Sequence, residues 1–152
     1  MGSRAICLLA VILTALALVP VGAHLFELPN KIHLDEEAYF TVQGIYRGWS
    51  LFGFVLIPAI GANAALAIML RRSGRPFGLA LFATVALAAT LAIFFTGIFP
   101  ANQATANWTV APANWRDLRG RWEYLHAVNA IITFVALCSV TLAVLTAAGR
   151  RP

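Results

Sequence analysis

The sequence predicts an all-α integral-membrane protein, an antiparallel four-helix bundle whose second and fourth helices extend into an outer polar cap. Three observations predict it. Of 152 residues, 61% are hydrophobic and only 11% charged, with a mean hydropathy of +0.80. A soluble domain carries roughly 25% charged residues, and disorder needs low hydrophobicity with high charge, so both classes are excluded. The apolar residues gather into four runs, about 5–28, 49–70, 77–100 and 125–147, each long enough to cross a hydrocarbon core of ~30 Å. Finally, the charges separate by loop. Arg4, Arg71, Arg72, Arg75, Arg150 and Arg151 fall on one side with no acid among them. Glu27, Lys31, Asp35, Glu36, Glu37, Arg47, Arg116, Asp117, Arg119, Arg121 and Glu123 fall on the other.

Lys and Arg mark the cytoplasmic side of a membrane protein. Both termini and the 71–75 turn are therefore expected in the cytoplasm, and the loops 29–48 and 101–124 outside. The net charge of +5 becomes a topology signal rather than a nucleic-acid footprint, and the expected partner is the lipid bilayer. Residues 1–152 read as a single transmembrane domain, and the alanine and arginine usage suggests a bacterial inner membrane.

Run one begins after Arg4, and its stretch 5–19 followed by Pro20 and Val21-Gly22-Ala23 has the layout of a cleavable signal peptide. The apolar character continues through Leu25, Phe26 and Leu28, which favours a retained helix. Cleavage after Ala23 would instead leave His24 as an amino terminus able to chelate copper. Asp35 is a good N-cap, with Glu36 and Glu37 in the first turn suiting the helix dipole. That helix is expected to run from Glu36 through Tyr46 into run two, where Pro58 predicts a kink. Gly61 with Ala65, and Thr84 with Ala88, offer small residues at four-residue spacing for close helix contact. Pro100 is expected to end run three, and 101–113 reads as a polar loop. Asn114 is placed to cap a helix from Trp115 to Ala147 that spans roughly 50 Å, so ~10 residues should project from the membrane.

The sharpest motif is a pair. Run one ends in His24-Leu25-Phe26-Glu27 and run four begins with Glu123-Tyr124-Leu125-His126. Residues three apart share a helix face, so if these helices are neighbours the two imidazoles form an inner layer and the two carboxylates an outer one. Carboxylate-bridged metal bundles use Glu-x-x-His on two helices plus a Glu from each of the others. Here Glu36 or Glu37 could add a carboxylate, but run three has no acid or histidine. His24, Glu27, Glu123 and His126 are thus candidate ligands for iron, copper or zinc, or the catalytic centre of a metal-free polar pocket. A purely structural set of hydrogen bonds is the remaining reading.

Tyr46 and Arg47 suggest a phenolic or anionic ligand, although Tyr39 and Tyr46 also suit interfacial anchoring. Trp108, Trp115 and Trp122 recur every seven residues, either as an aromatic belt or as a wall over a flat apolar ligand. His33 is expected in solvent. Asn107-Trp108-Thr109 fits a glycosylation pattern by chance. Cys7 and Cys138 lie 131 positions apart, which rules out a C-x-x-C redox pair. No nucleophile elbow, phosphate loop or dinucleotide fingerprint occurs, so no nucleotide cofactor is expected.

The segments Phe99-Pro100-Ala101-Asn102-Gln103, Asn114-Trp115-Arg116-Asp117-Leu118-Arg119 and Arg121-Trp122-Glu123-Tyr124-Leu125-His126 resemble the small four-helix membrane proteins of the anthrone-oxygenase-like family, most of which have no assigned function. Asn102, Trp115, Arg119, Trp122 and His126 match the family's order. The family places an Arg shortly after that His, where this sequence has Ala127-Val128-Asn129. The resemblance implies an oxygenase of phenolic or anthrone-like compounds that needs no organic cofactor. The expected function is therefore an oxidoreductase acting on a flat phenol or quinone at the outer interface. Tyr46, Arg47, Asn102, Trp115, Arg119 and Trp122 would bind substrate, with Arg119 or Arg47 stabilising an oxyanion. A non-catalytic subunit of a larger membrane complex and a membrane metal-binding protein are the alternatives.

Overall fold

The computed structural model describes residues 2–149, and the side chains of all but the first two of them. Arg150 and Arg151, counted above toward the cytoplasmic side, lie outside the described residues. Among the described residues there is no strand. Six α-helices follow one another: α1 (Gly2–Lys31), α2 (Glu36–Gln43), α3 (Gly53–Met69), α4 (Arg75–Ile93), α5 (Phe99–Ala104) and α6 (Trp115–Ala148). Four segments are long and apolar enough to cross a membrane: Arg4–Lys31, Trp49–Met69, Arg75–Ala104 and Trp115–Ala148.

The long helices form a ring. α1 packs on α3 and α6, and α4 packs on the same two. Their shared core is built largely of alanine: Ala10, Ala59, Ala67, Ala80, Ala83, Ala136 and Ala143 are all buried. Large apolar side chains such as Phe26, Phe54 and Leu145 point outward instead, with Phe26 82% exposed. This inverts the soluble pattern and suits a lipid surround, where small residues let backbones approach and dispersion does the holding. Polar links supplement it. Asn63 Nδ2 donates to Thr14 Oγ1 at 2.9 Å between α3 and α1, and Ser139 Oγ donates to the Leu79 carbonyl at 2.9 Å between α6 and α4. The small-residue pairs expected at contacts are not the ones used, since Gly61 and Ala88 are exposed. Alanine-rich spans offer four-residue spacing on several faces, and Ala59, Asn63 and Ala67 carry the buried one on α3.

Asp35 caps α2 as expected, its Oδ1 accepting from the Ala38 N–H at 2.9 Å. The expected continuous helix from Glu36 into run two is broken. α2 ends at Gln43, and two short 3-10 turns follow (Gly44–Tyr46 and Trp49–Phe52), separated by Gly48 at φ 88°. A left-handed residue ends a helix, and glycine takes that conformation without steric cost. Asn114 does precede α6, but its side chain makes no cap; its backbone carbonyl accepts from Asp117 and Leu118 instead.

Pro100 does not end the third long segment. α4 passes through a π-turn, Phe94–Ile98, directly into α5, with Pro100 in the first turn of α5. Proline has no N–H to give the carbonyl four residues back, which is that of Thr96. Arg121 Nη2 of α6 donates to this carbonyl at 2.8 Å. The π-turn also places Gly97 against α6, where a Cβ would lie 2.2 Å from Leu125 Cδ1. Gly97→Val should therefore push α5 off α6 and cost about 1–3 kcal/mol. The check is thermal unfolding in detergent micelles, with Gly61→Val, which meets open space, as the silent control.

Candidate functional site

A second cluster sits apart from the alanine core. It consists of Tyr39, Ile98, Ala101, Trp108, Trp115 and Trp122, all buried. Of the two roles expected for the tryptophans, an interfacial belt or a wall over a ligand, their burial does not fit the belt. The continuation of the chain through Pro100 makes this possible, because it carries Asn102 inward on α5. Asn102 Oδ1 accepts from Trp122 Nε1 at 2.8 Å and from Trp108 Nε1 at 3.0 Å. One side-chain oxygen thereby satisfies two buried indole donors. Trp108 reaches it from a left-handed turn, Ala106, Asn107 and Trp108 having φ of 48°, 57° and 62°. That conformation costs roughly 1–2 kcal/mol per residue for an L-amino acid. Hydrogen bonds from Trp108 N to Thr105 Oγ1 and from Asn107 N to the Asn102 carbonyl hold it.

Beside this cluster, α1 and α6 bring their paired motifs together. The His24 and His126 rings lie 4.1 Å apart between centroids. Trp122 meets both edge-on, at 4.8 Å from His24 and 4.3 Å from His126, and Tyr46 lies 4.4 Å from His24. Neither imidazole Nδ1 has a hydrogen-bond partner among the described residues.

The carboxylates do not join the imidazoles. Glu27 and Glu123 gather instead around Lys31, which is 3% exposed although it is the last residue of α1. Lys31 Nζ is 3.1 Å from Glu123 Oε1 and 3.8 Å from Glu27 Oε2, and donates to Tyr46 Oη at 2.6 Å. Tyr46 donates in turn to Glu27, and Tyr39 to Glu123 at 2.9 Å. Gln43 Nε2 donates to the Tyr39 oxygen. Burial, and then the carboxylate of Glu123 beside it, raise the Tyr39 phenol well above its ordinary range. The four-ligand metal centre expected from His24, Glu27, Glu123 and His126 is therefore not assembled. A lysine ammonium stands where an ion would bridge the carboxylates. Among the described residues, no group of three or more His, Cys, Asp or Glu side chains could hold a metal. Glu36 and Glu37 are exposed, as is His33.

A cavity of about 1120 Å³ opens next to the paired imidazoles, slightly larger than the roughly 300–1,000 Å³ usual for ligand pockets. His24, Tyr46, Trp49, Trp108, Trp122 and His126 line it, with Asn102 and the exposed Arg47. So six expected residues share one wall: His24, Tyr46, Arg47, Asn102, Trp122 and His126. The other four do not line it. Glu27 and Glu123 belong to the lysine network. Trp115 packs against Tyr39 in the aromatic cluster. Arg119 donates to the Leu34 carbonyl at 2.6 Å and stacks on Trp115 and Tyr39, so its cation serves the loop and not the cavity.

Sequence reasoning missed Lys31, although Glu27 and Lys31 at four-residue spacing marked a helical ion pair. It also missed Trp49 and the polar wall farther along α6, Asn129 and Thr133. No protein-family model, no curated protein and no solved structure matches the chain.

Two outcomes follow for the charge network. Lys31→Met leaves Glu123 buried and unpaired, and should cost about 3–5 kcal/mol. Adding Glu123→Gln should recover much of that loss in a denaturant titration in micelles. Tyr39→Phe should leave the tyrosinate absorbance of the folded protein unchanged up to about pH 12, two units above the usual phenol value, because Tyr39 stays protonated there.

Proposed function

We propose that this chain is a small integral-membrane oxidoreductase that binds a flat phenolic or quinone-like compound in the cavity beside His24 and His126. The observation that carries the reading is the combination on one wall. Aromatic faces from Trp49, Trp108, Trp122 and Tyr46 surround two adjacent imidazoles whose Nδ1 atoms lack partners. Aromatic rings favour a flat apolar ligand, and an imidazole can take the phenol's proton while dioxygen, the co-substrate of an oxygenase, accepts its electrons. Arg47, exposed at the cavity's edge, would attract developing negative charge. The likeness to anthrone-oxygenase-like membrane proteins points to the same substrate class. The chain's own residues bind and orient the ring and accept its proton.

The same reading places the four long helices as an antiparallel bundle in a bacterial inner membrane, both termini cytoplasmic. The five-residue connection 70–74 between α3 and α4 and the arginines around it support this topology. The lysine network and the aromatic cluster would then form the outer polar cap.

The test uses protein in lipid nanodiscs. Titration with 1-naphthol should quench tryptophan fluorescence saturably, and Trp122→Ala should weaken binding roughly two- to tenfold. His24→Ala and His126→Ala should each lower oxygen uptake with a panel of naphthols and hydroquinones by roughly 100-fold or more, while binding persists. No saturable quenching would sink the binding reading. Saturable binding without oxidation by any member of the panel would sink the enzymatic one.

A further inference from the structure

The cavity extends along α6 beyond the histidine. Trp122, His126, Asn129 and Thr133 all line it, and their spacing of four, three and four puts them on one helix face. They cover roughly 16 Å of helix at 1.5 Å per residue. Thr90 of α4 faces them across the far end. These last three are polar groups within a membrane-spanning segment, each at most 4% exposed, where polar side chains are costly and tend to mark function.

Their hydrogen bonds can be counted donor by donor. Asn129 Nδ2 donates to the Thr90 carbonyl at 3.3 Å. Thr90 Oγ1 donates to the Leu87 carbonyl at 2.7 Å. Thr133 Oγ1 donates to the Asn129 carbonyl at 2.7 Å. A threonine hydroxyl has one hydrogen to give, so both hydroxyls are spent, and the Asn129 amide is held with its nitrogen toward Thr90. What remains is the lone pairs of the two threonine oxygens, Asn129 Oδ1 and the second N–H of the Asn129 amide. Asn129 Oδ1 is buried and has no partner among the described residues.

We infer that this far end is a subsite for a ligand hydroxyl, and that Asn129 is its specificity-determining residue. The inference rests on the cavity being a ligand site, as proposed above. A phenolic or alcoholic O–H supplies the donor that Asn129 Oδ1 lacks. A carbonyl or an ether oxygen can at best accept the remaining amide N–H and leaves Asn129 Oδ1 desolvated without a donor. Sites built around one hydrogen bond reject the analogue that cannot make it. The ligand is thus oriented with its hydroxyl leading, past the imidazoles, and its remaining surface against the indoles.

The experiment compares 1-naphthol, 1-methoxynaphthalene and 1,4-naphthoquinone by isothermal titration calorimetry, with protein in nanodiscs and empty nanodiscs subtracted. Wild type should bind the naphthol at least roughly tenfold tighter than either analogue. Asn129→Leu, of similar volume, should abolish that preference by weakening the naphthol alone. Thr133→Val, nearly isosteric, should narrow it. Equal binding of all three by wild type overturns the hydroxyl subsite while leaving the cavity a ligand site. So does a preference that survives Asn129→Leu. If Asn129→Leu elutes as aggregate, Thr133→Val decides, and an undiminished preference there overturns the subsite. Binding of none of the three overturns the cavity reading and this inference with it.

Discussion

Burial of one ammonium group governs how this end of the molecule is put together. Lys31 closes α1, yet its Nζ lies inside, between a carboxylate of its own helix and one from α6, under the hydroxyl of Tyr46. A charge taken out of water is tolerated only when partners surround it. The partners here come from four places in the chain: Glu27 on α1, Glu123 on α6, and Tyr39 and Tyr46 from the segment between α1 and α3. Satisfying one cation therefore pins that intervening segment against the α1–α6 seam. The break at Gln43 follows from the same requirement. A continuous helix would carry Tyr39 and Tyr46 along a single rigid axis, whereas the 3-10 turn after α2 lets each phenol reach a different carboxylate. With Tyr46 fixed by Lys31 and Glu27, its ring is left beside His24 as part of the cavity wall.

The features that cost most lie at that same end. Three consecutive non-glycine residues adopt left-handed backbone at 106–108. The helix between Ile93 and Phe99 widens into a π-turn, and such turns are frequent at functional sites. Both deviations serve side-chain placement. The π-turn carries α5 past Pro100 with Arg121 covering the freed carbonyl. It thereby sets Asn102 where two indoles can use its oxygen. The left-handed turn then folds Trp108 back onto that oxygen.

How much of this the sequence disclosed depends on the range of the interaction. The four long helices were legible because apolar run length and composition are local properties. The His24–His126 pairing was legible as well, since two mirror-image motifs at three-residue spacing need only adjacent helices to meet. Asp35 revealed its cap for the same local reason. What stayed hidden was decided between segments. Pro100 looks like a helix end unless a neighbouring helix is known to supply Arg121. Lys31 looks like a loop charge unless Glu123 is known to face it. The metal expectation failed at this point. Two Glu-x-x-His-like motifs predict a ligand set when their carboxylates are free, and a lysine four residues past Glu27 had already claimed them. The tryptophan spacing was read as periodic, but whether it made a belt or an inner wall stayed open. Seven-residue spacing does not say which face a helix buries, and the oxygen that draws two of the indoles inward lies on another helix.

The division of labour between the two pairs has a chemical consequence. Had the carboxylates stayed with the imidazoles, each histidine would have had an anion beside it to favour its charged form. With both carboxylates gathered around Lys31, the imidazoles face an aromatic and apolar wall. Each imidazole is left with a buried Nδ1 that has no partner among the described residues. A neutral imidazole accepts a proton, whereas an imidazolium can only donate one. The salt network therefore does more than hold the cap together. By withdrawing Glu27 and Glu123 from the histidines, it leaves a wall with hydrogen-bond acceptors both at the imidazoles and, two turns farther along α6, at Asn129 and Thr133. A cavity so lined has complementary chemistry for a molecule that brings its own hydrogens.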